Sequence, residues 1–132
     1  MFNKISIIGC GLIGSSILRA IEEKKLAFKI SVYDKSLKVR DYLKKNFSVQ
    51  VCINISDVVK DSDLVIIASP LSSYKEILLS IQSNLKENAI LTDTGSAKKE
   101  VNNIISNLNL EHIHWIASHP IAGTEFSGPE AG

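Results

Sequence analysis

The sequence predicts an α/β domain built on a doubly wound, mostly parallel sheet of about six strands. Three observations predict it. Short apolar runs alternate with segments whose apolar residues recur every three to four positions, the first run breaks into a cluster of glycines, and no repeat, low-complexity tract or linker divides the 132 residues. Alternation of this kind gives parallel strands joined by right-handed crossovers.

In order, the first strand covers about residues 4 to 9, ending in Ile7-Ile8-Gly9. A helix over about 12 to 25 follows, with Leu12, Ile13, Ile17, Leu18 and Ile21 at helical spacing. The second strand, Ile30-Ser31-Val32-Tyr33, runs to Asp34. Ser36 reads as the N-cap of a helix with apolar positions Leu37, Val39, Tyr42 and Leu43. A weak strand at 49–53 leads to a helical turn through Val58 and Val59, capped by Ser56 with Asp57. The continuous apolar run 63–68 fits a parallel strand covered on both faces. Pro70 ends it, and Tyr74, Ile77, Leu78, Ile81 and Leu85 mark one face of the next helix. A fifth strand at 89–93, a helix at 97–108 with Val101, Ile104, Ile105 and Leu108 inward, and a sixth strand at 113–118 complete the pattern.

A chain of this length fits one domain with its own core. The net charge of +1, with cations scattered through all segments, supplies no basic face for nucleic acid. Neither a membrane-spanning run nor a signal-peptide pattern is present, so the expectation is a soluble, cytoplasmic protein that meets no membrane. Cys10 and Cys52 lack metal-ligand or CxxC spacing and read as buried thiols. No metal site is expected.

Gly9, Gly11 and Gly14 fit the G-x-G-x-x-G spacing at a strand-to-helix junction. In that motif the first glycine allows the turn, the second admits a pyrophosphate and the third lets helix and strand pack closely, while the helix start aims free N–H groups at the phosphates. Asp34 lies 20 residues past the last glycine. Alone it would be an ordinary turn aspartate; with the glycines it reads as the acceptor for adenosine ribose hydroxyls, favouring NAD over NADP. Lys35, Lys38 and Arg40 keep NADP in play, since a nearby cation can hold its extra phosphate. The fold predicted is therefore the Rossmann dinucleotide-binding fold, residues 1–132 forming one NAD-binding domain. Ligands of such sheets sit at the carboxyl ends of the strands. The candidate cofactor contacts are Gly9, Gly11, Leu12, Ile13, Gly14, Asp34, Ser69, Pro70, Asp93 and Gly95.

Two loops at those ends are rich in chemistry. In Thr92-Asp93-Thr94-Gly95-Ser96-Ala97-Lys98, Ser96 is a good N-cap and Gly95 a good turn former, and the same geometry presents a hydroxyl at the cleft mouth. Both readings stand on the residues alone. In Ser118-His119-Pro120-Ile121-Ala122-Gly123-Thr124-Glu125-Phe126-Ser127-Gly128-Pro129, His119 lies just past the sixth strand, where an imidazole can take a proton from a substrate hydroxyl. His112 and His114, outside any such loop, read as structural.

These loops resemble the D-x-G-S-x-K and H-P-[IM]-A-G-x-E-x-S-G segments of prephenate and arogenate dehydrogenases, and the glycine turn is similar to that family's cofactor loop. The resemblance implies NAD-dependent oxidative decarboxylation of prephenate to 4-hydroxyphenylpyruvate, or of arogenate to tyrosine. It implies His119 and Ser96 as catalytic residues, and Ser96, His119, Gly123, Thr124 and Glu125 as substrate contacts. It also implies a homodimer through a C-terminal helical domain, absent from these 132 residues, that supplies an arginine for the substrate carboxylate. Arg19 and Arg40 match no such arginine, so the chain alone is expected to turn over poorly. Two alternatives remain. One is another NAD(P)-dependent oxidoreductase of the β-hydroxyacid or imine type, which lacks the paired loops; the other is a non-catalytic NAD-sensing domain, which would not need His119.

Overall fold

The computed structural model describes residues 1–94 and 98–117, the side chain of Lys98 excepted. Six strands form one sheet: β1 (Phe2–Ile8), β2 (Ala27–Tyr33), β3 (Gln50–Val51), β4 (Leu64–Ile67), β5 (Ile90–Asp93) and β6 (His114–Ile116). Their spatial order is β3-β2-β1-β4-β5-β6, and every neighbouring pair is parallel. The helices are α1 (Leu12–Lys24), α2 (Leu37–Asn46), α3 (Ile55–Val58), α4 (Tyr74–Ile81), preceded by a 3-10 turn at Leu71–Ser73, and α5 (Lys98–Ser106). This is the doubly wound sheet predicted. None of these helices is long and apolar enough to cross a membrane.

The strand period of two divides the sheet's side chains between two layers. Ile5, Ile7, Val32 and Ile66 join Leu18, Ile21 and Leu43 on the side of α1 and α2. Ile8, Val65, Ile67 and Leu91 join Val58, Tyr74, Leu78, Ile81 and Val101 on the side of α3, α4 and α5. A fully buried aliphatic side chain of this kind contributes about 1.5–3 kcal/mol of transfer free energy. Ser6 and Ser62 are buried polar exceptions, and they satisfy one another: Ser6 Oγ contacts Ser62 Oγ and donates to the Val58 carbonyl.

Several local expectations change. β3 is only two residues long, and Leu37 and Tyr42 of α2 are exposed, so Leu43 and the half-buried Val39 carry its packing. The cap position of α3 is Asn54 rather than Ser56 with Asp57, which fall within the helix's single turn. Leu85 is buried beyond the end of α4, held by a turn rather than by helical periodicity. Leu12 and Ile13, both at helical spacing and both candidate cofactor contacts, are each 48% exposed at the first turn of α1. Only Gly14, Leu18 and Ile21 of that helix are buried.

The pole opposite the strands' carboxyl ends is fastened by Asp63. Its Oδ2 accepts the Asn3 and Lys4 N–H groups at 2.7 and 3.3 Å, and Lys86 Nζ pairs with its Oδ1. The Lys86 ammonium, aided by those two N–H groups, holds this carboxyl below the usual range against a smaller desolvation effect. Its carbonyl accepts from Ile90 N at 2.8 Å, so one residue ties the starts of β1, β4 and β5.

Candidate functional site

The topology reverses between β1 and β4, and the glycine turn lies at that point. The three glycines have separate physical reasons. Gly9 has φ +92°, a conformation that side chains disfavour, and a Cβ there would overlap Ser69 Oγ and stand 2.9 Å from the Ala68 carbonyl. Gly14 is buried, and its Cβ would overlap the Gly9 carbonyl oxygen. Gly11 is exposed, and a Cβ on it would meet nothing within 4 Å among the described residues. Gly9 and Gly14 are needed by the fold. Gly11 is not, and the space beside it is open to a ligand.

The start of α1 is built to receive an anion. Its N-cap is Gly11, no side chain among the described residues caps it, and Ser15 N is the first to bond back within the helix, to the Gly11 carbonyl at 2.9 Å. The N–H groups of Leu12, Ile13 and Gly14 are therefore without intrahelical acceptors. By contrast α2 is capped conventionally, Ser36 Oγ accepting from Val39 N at 3.3 Å. Ser15 Oγ braces the turn by donating to the Cys10 carbonyl at 2.9 Å, and Ser69 Oγ donates to the Ile8 carbonyl at 3.3 Å. Pro70 follows, exposed, at the same end.

Asp34 sits just past β2, half-buried. Its Oδ2 accepts from Cys10 N and its Oδ1 from Ser36 N, each at 2.9 Å. The first bond ties β2's tip to the glycine turn and was not foreseen from sequence. Each carboxylate oxygen retains a lone pair, so two further hydroxyl donors can be accepted. Arg40 Nη1 donates to the Asp34 main-chain carbonyl at 2.7 Å. The Cys10 thiol is pushed up to about 12, chiefly by burial and secondarily by the Asp34 charge. It stays neutral and offers no nucleophile.

Asp93 ends β5 and is 1% exposed; its Oδ2 accepts from Tyr74 Oη at 3.1 Å. Its side chain lies below the surface and joins the end of β5 to the start of α4. Sequence reasoning placed Tyr74 in the core without seeing this polar partner; a tyrosine on an inward helix face beside a strand-end aspartate was the available signal. Gly95, Ser96, His119, Gly123, Thr124 and Glu125 lie outside the described residues. His112 Nε2 sits 3.0 Å from the Leu85 carbonyl, in keeping with a structural histidine. A cavity of about 320 Å³, lined by Gln82, Ser83, Asn109 and His112, lies at the opposite pole and has no part in the arrangement above.

The fold and this turn define a Rossmann-type nucleotide-binding domain. Residues 17–132 match the family described as prephenate dehydrogenase, nucleotide-binding domain, the match beginning inside α1. The chain belongs to that family. It is 39% identical over its whole length to the cyclohexadienyl dehydrogenase of Zymomonas mobilis, covering 45% of that protein. It is 33% identical over 95% of its length to the prephenate dehydrogenase of Lactococcus lactis, covering 36% of it. Among solved structures it resembles the prephenate dehydrogenase of A. aeolicus in complex with hydroxyphenyl propionate and NAD+, at a TM-score of 0.76 and 26% identity, over 98% of this chain and 46% of that one. The chain thus spans less than half the length of these relatives.

Proposed function

We propose that this chain is the cofactor-binding domain of an NAD-dependent dehydrogenase that oxidatively decarboxylates prephenate to 4-hydroxyphenylpyruvate, or arogenate to tyrosine. The observation that carries the reading is the open space beside Gly11 at an uncapped helix start, in a chain belonging to this family. The residues present fit NAD: the N–H groups of Leu12, Ile13 and Gly14 would hold the pyrophosphate, and the Asp34 carboxylate the adenosine ribose. Ser69 and Pro70 lie at the same end, and Gly95 is assigned as a further contact. NAD supplies the hydride acceptor when bound.

The remaining work falls to residues of the two loops. His119 accepts the proton of the ring hydroxyl at an imidazole nitrogen, and Ser96 orients that hydroxyl by a hydrogen bond. Gly123, Thr124 and Glu125 line the substrate's approach. Loss of carbon dioxide restores aromaticity and makes the step irreversible, so the protein needs only to position the ring and take one proton. An arginine for the substrate carboxylate, and a homodimer interface, belong to a helical domain outside these 132 residues. The cytoplasm is the compartment we assign.

The test has two arms. Calorimetric titration of the chain with NAD should show saturable binding, and its absence in a folded sample removes the proposal. In the protein with whatever sequence its gene adds, prephenate or arogenate should drive formation of reduced nicotinamide. There His119→Asn should lower the rate by about 10² to 10⁴ and abolish its decline at acid pH, with NAD affinity nearly unchanged. Near-normal turnover with the same acid limb would make His119 structural.

A further inference from the structure

Near the carboxyl ends of the strands, one buried pair calls for a reason beyond stability. Tyr74 and Asp93 are each 1% exposed, and the Tyr74 hydroxyl donates to Asp93 Oδ2 at 3.1 Å, its ring packed in the core layer of α3, α4 and α5. A carboxylate taken out of water is costly, and apolar side chains in place of a buried polar pair often leave a fold equally stable or more so. What a phenol–carboxylate bond adds is direction, because a charge-assisted hydrogen bond is short and constrains both groups in distance and angle.

The elements so fixed are the end of β5 and the turn that follows β4. Asp93 is the last residue of β5, level with Ile67 at the end of β4, and Thr94 N extends the pairing to the Ile67 carbonyl at 3.1 Å. Tyr74 opens α4 and closes the turn over residues 68–73. The near end of that turn is held on β1, where Ala68 N and Ser69 Oγ donate to the Ile8 carbonyl at 2.8 and 3.3 Å. Ser73 N bonds back to the Pro70 carbonyl at 2.9 Å, and the Tyr74–Asp93 bond holds the far end on β5. With the adenosine ribose at Asp34 past β2 and the pyrophosphate on the glycine turn, the remaining half of a dinucleotide runs to the other side of the switch point, over the ends of β4 and β5. This turn lies there.

We infer that Tyr74 is a positioning residue for the nicotinamide half of the cofactor, its hydroxyl acting through the Asp93 carboxylate to set Ser69 and Pro70 against the end of β5. Asp93 then serves the site through Tyr74 and not by touching NAD. The inference rests on the NAD reading proposed above.

The experiment is calorimetric titration of the 132-residue chain with NAD and with ADP, which has the adenosine and pyrophosphate but no nicotinamide or second ribose. Tyr74→Phe keeps the ring and removes only the hydroxyl. In samples shown by circular dichroism to be folded, it should weaken NAD about three- to tenfold and leave ADP within about twofold of wild type. A hydroxyl that only stabilised the fold would change the Tm and leave the folded protein's affinity for both ligands as it was. Asp93→Asn, which keeps a neutral acceptor for the phenol, should show the same selective loss in smaller degree, and decides the matter should Tyr74→Phe not fold. The two changes together should cost less than the product of their separate fold-changes, since each weakens the same bond. NAD affinity unchanged in these folded variants, or NAD and ADP weakened alike, would overturn the inference. Absence of NAD binding in folded wild type is a different result, one that removes the dinucleotide reading and this inference with it.

Discussion

Gly11 and Gly14 stand three residues apart, yet alanine at each should fail in a different assay. At Gly14 the new methyl overlaps the Gly9 carbonyl oxygen, a backbone atom in the turn that closes β1. The helix would gain about 0.5–1 kcal/mol from losing an interior glycine. Relief of the overlap requires helix and turn to separate, and overpacking of this kind costs typically 1–3 kcal/mol and occasionally more. The net is a loss of about 1–2 kcal/mol, which at about 2.1 cal/mol/K per residue lowers the Tm of a domain this size by roughly 4–7 °C. At Gly11 the methyl touches nothing among the described residues. The only structural cost is the poorer N-cap, about 0.5 kcal/mol or roughly 2 °C. That methyl does stand where a pyrophosphate would approach, so NAD affinity should fall at least about tenfold, or 1.4 kcal/mol. Thermal unfolding by circular dichroism and calorimetric titration read the two effects separately. If Gly11→Ala melts as early as Gly14→Ala, or binds NAD as tightly as wild type, the division of labour among the glycines is wrong.

Two other outcomes follow from charges and thiols. A carboxyl held below its ordinary value stabilises the fold fully above the unfolded value near 4 and loses that contribution as pH falls through the folded value. Asp63→Asn should therefore cost about 1 kcal/mol at pH 7 and almost nothing at pH 2, measured as the gap between wild-type and variant melts; an equal gap at both would refute the ion-pair account of Asp63. Cys10 and Cys52 are free, buried and raised in pKa, Cys10 to about 12. Both should resist a thiol-specific alkylating reagent at pH 8 until denaturant is added, and prompt labelling of Cys10 in the native protein would contradict its burial.

What the sequence revealed follows from where periodicity and local geometry decide the outcome. The apolar runs of β1 and β4 are covered on both faces, so composition alone announces them. The glycine turn is legible because two of its residues face steric demands that only glycine meets. The two-residue β3 gave little, since an edge strand that short carries almost no pattern. Helical spacing picks out Leu12, Ile13, Leu37 and Tyr42 as apolar positions without telling which are covered, and all four are exposed. The bonds from Cys10 N to Asp34 and from Tyr74 to Asp93 join residues 24 and 19 positions apart, and no local rule predicts such pairs.

The strand order also sets a timetable for the growing chain. β1 is made first and ends up with a neighbour on each side, β2 along one edge and β4 along the other. The second edge, Ile5–Ile8, finds no partner until Leu64–Ile67 has been synthesised. At roughly 5–20 residues per second that is a delay of about 3–12 s, during which one of the protein's most apolar strands presents an open edge to its surroundings. The later strands extend the sheet outward, β5 on β4 and β6 on β5, each arriving at an edge its predecessor has just formed. The central strand that bears the glycine turn is thus the one with most need of protection at birth.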